Sequence, residues 1–402
     1  MSLSRIASRV QRIKTSPSSA AADRAAELRR QGRTIVNLAI GEPDFPTPAH
    51  IRRAAAEAVE RGETRYTQTA GTVALRTAIA AKLREENALD YDPKHIIVTC
   101  GAKHAIFNAL AVTVEPGDEV LIPAPYWVSY PDMVLACEGS PVVLPCTEAD
   151  GFKLTAATLE AAITPRTRWL LLNSPSNPTG ASYSSGELRA LADVLLRHPH
   201  VLVLTDDIYE HIRFESASNP HIVAVEPALH DRAVVVNGMS KTYAMTGWRI
   251  GYAAGPADLI AAMDTLQSQS TSCASSVGQA AALAALQGDQ SSIAEAVETY
   301  RARRDRGVAL LNAIPGLACG APGGAFYLFV NCGGVIGKQT PAGKLIASDA
   351  DFTLYLLEAA GVVLVAGSAY GASPYFRMSI ATGIEVIEEG CRKIANAVSE
   401  LI

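Results

Sequence analysis

VLVLTD (201–206) decides the fold: four apolar residues in succession, a threonine and an aspartate, without the polar alternation of a sheet that has one wet face. Similar runs lie on either side of it: HIIVTC (95–100), EVLIP (119–123), PVVLP (141–145), RWLLLN (168–173), AVVVNG (233–238) and WRIGYAAG (248–255). Helical stretches such as 102–114 and 185–197 separate most of them. Continuous apolar strands alternating with helices predict an α/β fold, a three-layer and mainly parallel sheet with helices on both faces.

Beyond about residue 289 the texture changes. A charged helical run (292–314) is long enough to bridge two units, and AFYLFV (325–330), GVVLVAG (361–367), YFRMSIA (375–381) and a last helix at 384–401 predict a smaller α+β domain. The expected division is an N-terminal arm and part of the small domain at 1–48, a large domain at 49–290, and the bridging helix with the small domain at 291–402. The Gly-rich NCGGVIGKQTPAGK (331–344) reads as a surface insertion. It is not a phosphate loop, because five residues separate Gly337 from Gly343 and Leu345 stands where Ser or Thr should be.

The 402 residues carry 35 Lys+Arg against 40 Asp+Glu, a net charge of −5, with no dense basic run, so nucleic acid is disfavoured as a partner. No apolar stretch approaches the ~18 residues of a membrane span. The 49% hydrophobic and 19% charged composition is that of a globular chain. Seven scattered cysteines with no CxxC pair point to a reduced, cytoplasmic setting. The first 22 residues, rich in Ser, Arg and Ala, superficially resemble a transit peptide, but Ser and Pro at 16–19 interrupt it and favour an exposed arm. The eight histidines show no metal-ligand spacing, and no metal is expected.

Ligands of α/β sheets bind past the carboxyl ends of the strands. Read in order, those positions supply Gly101, Ala102 and Lys103, then Trp127, Asn177, Asp206 with Tyr209, Ser240 with Lys241, and Arg249. An amine nucleophile, a carboxylate, a phenol, an aromatic face and a phosphate-binding arginine together suit a pyridoxal phosphate enzyme. The lysine must be neutral part of the time, and cations such as Arg249 would lower its pKa. A buried carboxylate, Asp206 in preference to its neighbour Asp207, would keep the cofactor's ring nitrogen protonated. Gly101 and Ala102, between strand and helix, offer backbone donors for phosphate.

Six stretches, NLAIGEPDFPTP (37–48), TCGAKHAIFNAL (99–110), PAPYWVSYPDM (123–133), NSPSNPTG (173–180), TDDIYEH (205–211) and SKTYAMTGWRIGY (240–252), resemble class I aminotransferases of fold type I. The resemblance is to the bacterial aspartate aminotransferase subgroup, which includes prephenate aminotransferases. It covers nearly the whole chain. It implies Lys241 as the Schiff-base lysine, Asp206 as the pyridinium partner, Tyr209 and Asn177 at the ring oxygen, Trp127 stacked on the ring and Arg249 on the phosphate. Arg377 would grip the substrate α-carboxylate with help from Gly41, and Lys103 would meet a second carboxylate. Tyr66, in RYTQTAG (65–71), would reach the neighbouring subunit's phosphate, which implies a homodimer with shared active sites. Many relatives have a phosphate-binding serine where this chain has Gly238; Ser240 is the candidate to compensate.

The expected activity is transamination between L-aspartate and 2-oxoglutarate, with small amino acids and 2-oxo acids as the partners. Alternatives are a prephenate or aromatic aminotransferase, to which Lys14 would add a cation, or another pyridoxal phosphate lyase on the same scaffold. A non-enzymatic regulator is disfavoured, because no DNA-binding domain precedes residue 37 and the catalytic set is complete.

Overall fold

The computed structural model describes residues 5–14, 25–215 and 220–402. The arm read over the first 22 residues therefore lies largely outside the described residues. Twelve strands are described in chain order: β1 Val36–Asn37, β2 Ile96–Thr99, β3 Glu119–Ala124, β4 Ser140–Pro145, β5 Thr167–Asn173, β6 Leu202–Asp206, β7 Ala233–Gly238, β8 Gly251–Ala254, β9 Tyr327–Asn331, β10 Val362–Val363, β11 Val365–Ala366 and β12 Tyr375–Ser379.

Seven of them form one sheet in the order β2-β8-β7-β6-β5-β3-β4. β8 runs antiparallel to both neighbours and the remaining pairs are parallel. The expected three-layer, mainly parallel α/β architecture is the one observed. Alternate residues enter opposite cores: Leu170, Leu172, Val203 and Val235 pack on one face, and Trp169, Leu171, Leu204, Val234 and Val236 on the other. Helices cover both faces, which is why these strands show no polar alternation. Helix Ser185–Arg197 is representative: Ser184 and Glu187 form a capping box, and Leu188, Leu191, Ala192 and Leu195 face inward.

β11, β12 and β9 form a three-stranded antiparallel sheet, and β1 pairs with β10 in parallel, Val36 beside Val362. GVVLVAG is thus not one strand. It splits into two dipeptides serving different sheets, with Leu364 between them. WRIGYAAG is likewise shorter than expected: Thr246–Trp248 is a 3-10 turn, Arg249 has φ +57° and the strand begins at Gly251. A left-handed residue cannot continue a β ladder, so Arg249 lies in the turn before the strand. The bridging helix spans Ser291–Asn312. Among the described residues no helix is long and apolar enough to cross a membrane.

A buried polar cluster ties the sheet to helix Val73–Asn87. Lys82 on that helix donates to Glu210 and, at 2.7 Å, to Asn87 Oδ1, while Asn87 and Asn237 donate to the Glu210 carboxylate. Burial alone would raise the Glu210 pKa, but the Lys82 charge, then His211 and the hydrogen bonds from Lys82 and Asn87, hold it down at about 2. Lys82→Ala should therefore cost roughly 3–5 kcal/mol of unfolding free energy at pH 7, because it leaves a buried carboxylate unpaired. The folded-state value lies below the ordinary 4.5, so the pair's contribution is whole above that pH and is lost as pH falls toward 2. Denaturant unfolding of wild type and variant across this range checks both statements, and the gap between them should narrow with acid.

Candidate functional site

The carboxyl ends of β5, β6 and β7 form the floor of a cavity of about 350 Å³. The order of strands reverses between β3 and β5, with Trp127 just past the former and Asn173 ending the latter. Asp206 ends β6 beside Asn173 in register and is only 4% exposed. Burial lifts its pKa to about 6, while a 2.7 Å hydrogen bond from the Tyr130 hydroxyl pulls the other way. Asp207 faces elsewhere, accepting from Thr205 at 3.0 Å and lying 3.2 Å from His221, which is itself buried. Of the two adjacent aspartates, only Asp206 lines the cavity.

Asn173 shapes the wall: its amide donates to the Asp206 carbonyl at 2.7 Å and its oxygen accepts from the Asn177 N–H at 2.8 Å. Asn177 Oδ1 in turn accepts from Arg377 Nη1 at 3.1 Å, and Arg377 Nη2 donates to the Ala39 carbonyl at 2.8 Å. Arg377 is 3% exposed and lies over the rings of Tyr327 and Tyr370, at 4.2 and 5.2 Å, with its Nε unpartnered. A buried guanidinium held only by neutral groups favours an anionic ligand. Tyr209 shares a 3.0 Å hydrogen bond with Tyr327 beneath it.

Lys241 reaches into the same cavity and donates from Nζ to the Gly41 carbonyl at 2.6 Å. Its pKa falls to about 8, chiefly through burial; Glu42 opposes this, and Arg377 and Arg249 add to it. Desolvation, rather than the neighbouring cations expected from sequence, is the main cause. Arg249 donates to the Thr246 and Cys100 carbonyls at 2.8 and 3.3 Å, beside the first turn of helix Ala102–Ala111. The leading N–H groups of such a helix have no intrahelical acceptor. Gly101 has φ +85°, and a Cβ there would lie 2.5 Å from Arg249 Nη2, so only glycine keeps this anion cradle open.

Ala102, Lys103, Trp127, Ser240 and Gly41 also line the cavity. Lys103 Nζ sits 4.7 Å from the Trp127 ring centroid, and burial followed by Arg249 lowers its pKa. A Cβ at Gly238 would lie 2.9 Å from the Gly251 Cα and the Ile250 carbonyl, so β7 packs too closely on β8 for a serine there. Tyr66 is not in the cavity; it is 90% exposed and lines a separate cleft with Arg61, Glu63 and Arg65. Sequence reasoning passed over Tyr130, Asn173 and Tyr327. Asn173 ends a strand as Asp206 does and Tyr130 lies within the YWVSY motif, so both carried a signal; Tyr327, inside AFYLFV, read as core.

Among the described residues Glu86, Glu210 and His211 are the only cluster with metal-ligand proximity, and Lys82 Nζ, bonded to Glu210 and 3.4 Å from Glu86, already supplies a positive charge there.

The sequence matches the family model for aminotransferase class I and II over residues 33–394. It is 53% identical to an aspartate aminotransferase of Rhizobium meliloti (strain 1021), covering 98% of this chain and 96% of that one. It is 50% identical to an aspartate/prephenate aminotransferase of Cereibacter sphaeroides, over 95% and 96% of the two chains. The crystal structure of the Rhizobium meliloti aspartate aminotransferase superposes with a TM-score of 0.97 at 52% identity, over 99% of this chain and 100% of that chain. The Thermus thermophilus aspartate aminotransferase with maleate gives 0.91 at 39%, over 98% and 100%.

The lone Arg377 charge makes a prediction of its own. A small dicarboxylate at ~100 times its Kd should stabilise the protein by about 2.7 kcal/mol. Arg377→Met should remove most of that effect in thermal melts while leaving the fold intact.

Proposed function

The chain belongs to the class I and II aminotransferases, and from that membership we propose that it transfers the amino group of L-aspartate to 2-oxoglutarate through a lysine-bound pyridoxal 5′-phosphate. The observation that carries this reading is the convergence of Lys241, Asp206, Arg249 and Arg377 on one cavity. The bound cofactor supplies an electron sink and carries the amino group between two half-reactions.

The chain's own groups divide the remaining work. Arg249 and the N–H groups that start helix Ala102–Ala111 hold the phosphate, with Ser240 beside them. Asp206, its carboxylate favoured by the Tyr130 hydroxyl, would pair with the protonated ring nitrogen; Tyr209 and Asn177 would meet the ring oxygen, and Trp127 would cover a face. Arg377 fixes the α-carboxylate near Gly41, which orients the α-hydrogen toward Lys241. The Lys241 amine, with its pKa near about 8, is poised to take that proton and return it. The two substrates alternate on one site, so ping-pong kinetics follow. Residues 49–290 would hold the cofactor, while 1–48 and 291–402 clamp the substrate. The exposed Tyr66 fits a homodimer in which it completes the partner's phosphate site, and the unpaired cysteines fit a cytoplasmic enzyme.

A second reading, prephenate as amino acceptor, is favoured by one observation beyond the name of the Cereibacter sphaeroides relative. A second cavity, about 540 Å³, shares Lys103, Val128, Ser129 and Arg249 with the first and is lined by Lys14, His104 and Phe107, room for a larger anionic ring.

The deciding experiment adds a panel of amino acids to the purified holoenzyme and follows the cofactor's visible spectrum. Aspartate and glutamate should each drive a half-reaction, with the nitrogen retained by the holoenzyme and recovered on an oxo acid when one is then added; release as free ammonia would indicate a lyase instead. Lys103→Ala should raise KM for aspartate ~10–100-fold more than for a neutral amino acid, the value of a charged hydrogen bond of roughly 1.5–3 kcal/mol. Equal losses for both would give Lys103 to the phosphate or to packing on Trp127.

A further inference from the structure

Tyr209 and Tyr327 reach the cavity from different parts of the fold. Tyr209 follows β6 of the large sheet, and Tyr327 opens β9 of the small antiparallel sheet. Their hydroxyls meet at 3.0 Å although 118 residues separate them in sequence. Both residues are buried, and among the described residues neither hydroxyl has another hydrogen-bond partner.

Packing fixes both rings. Tyr209 stands edge-on to Phe326 and to Tyr327, with centroids 5.5 and 5.9 Å away. Tyr327 pairs with Ser379 on β12, which puts it diagonal to Arg377 on one face of that sheet, and the guanidinium lies 4.2 Å from its ring centroid. The other titratable and charged groups facing the pair are Asp206 ending β6, Tyr130 on the helix after β3, Lys241 after β7 and Tyr300 on the bridging helix. Burial raises the pKa of both phenols and so keeps both protons in place; the Arg377 charge opposes the rise.

Each phenol has one proton to donate. Two hydroxyls with one bond between them leave one proton unspent. If Tyr209 donated, the spare proton would sit on Tyr327, between a guanidinium and the bare Gly41, whose carbonyl already accepts from Lys241. If Tyr327 donates, the spare proton is that of Tyr209 and serves an oxygen in the cavity. The functional reading above, on which this inference rests, puts an anionic ring oxygen there.

We propose that Tyr327 is a positioning residue for that contact: its hydroxyl donates to Tyr209, which commits the Tyr209 proton to the ring oxygen of the cofactor. Donation into Tyr209 also polarises its O–H, so the second bond is stronger than a lone phenol would make.

The test is Tyr327→Phe, which keeps the ring against Arg377 and removes only the hydroxyl. A donor at the ring oxygen stabilises the anion left when the lysine-linked cofactor loses its proton, so weakening that donor raises the pH of the loss. A pH titration of the holoenzyme's visible spectrum should place the midpoint about 0.4–1 unit above wild type, the worth of one neutral hydrogen bond. Titrating the apoenzyme with pyridoxal 5′-phosphate should give a ~2–10-fold larger apparent Kd. Tyr209→Phe should raise the midpoint at least as far, and adding Tyr327→Phe to it should change nothing further, because the effect runs through Tyr209. A small dicarboxylate should stabilise the Tyr327→Phe apoenzyme as it does wild type. An unmoved midpoint in Tyr327→Phe overturns the proposal, as does an undiminished shift in the Tyr209→Phe background. Loss of the dicarboxylate's effect overturns it too, by giving Tyr327 to the Arg377 site. If Tyr209→Phe shifts the midpoint and Tyr327→Phe does not, only this inference fails. If Tyr209→Phe leaves the midpoint in place, the functional reading's contact at the ring oxygen fails first.

Discussion

Asp206, Lys241, Arg249 and Arg377 enter one cavity, and among the described residues none of them forms an ion pair. Asp206 and Arg377 are buried, Lys241 is half-buried and Arg249 is exposed; buried charges without partners are costly, and most proteins neutralise them within the chain. Here they are held by neutral groups: a phenol for Asp206, a carbonyl for Lys241, carbonyls for Arg249, and an amide with a carbonyl for Arg377. Such partners fix direction without cancelling charge. The electrostatic potential of the site therefore remains available to ligands, and the rest of the molecule keeps these side chains from collapsing onto one another.

Much of the supporting structure serves that end. The Lys82–Glu210 cluster stands directly behind the Asp206–Tyr209 segment, and Glu210 is its neighbour in sequence. His211, one residue further, bridges Glu86 and Thr242 at 2.8 and 3.1 Å, and Thr242 adjoins Lys241. The segments carrying the carboxylate and the amine are thus braced from behind by groups that never meet a ligand. Behind the site the ions are paired and hydrogen-bonded; inside it they are separated.

The sheet and its site edge were legible because both faces of β5, β6 and β7 are dry, which leaves long apolar runs ending in one polar residue. Asp206 could be told from Asp207 by the same logic, since the residue that ends the apolar run meets the cavity while the next turns to His221. What could not be read were contacts made by distant segments. Tyr327 belongs to an apolar run, and its place under Arg377 depends on β9 pairing with β12. The left-handed Arg249 broke an expected strand because nothing local marks that conformation in a non-glycine residue. GVVLVAG divided because two sheets compete for one run of valines.

The pairing of Val36 with Val362 carries a further implication for how the protein is made. The seven strands of the large sheet are all synthesised by residue 254 and can assemble while the chain is still attached to the ribosome. Strand β1 must wait until nearly the entire chain has emerged. Ala39 and Gly41, which follow it immediately, wait with it, and so does the acceptor that Ala39 offers Arg377. A nascent or truncated chain would thus carry a formed floor with the carboxylate in place, yet no finished grip on substrate. Competence arrives with the last fifty residues, which makes completion of synthesis itself a checkpoint on chemistry.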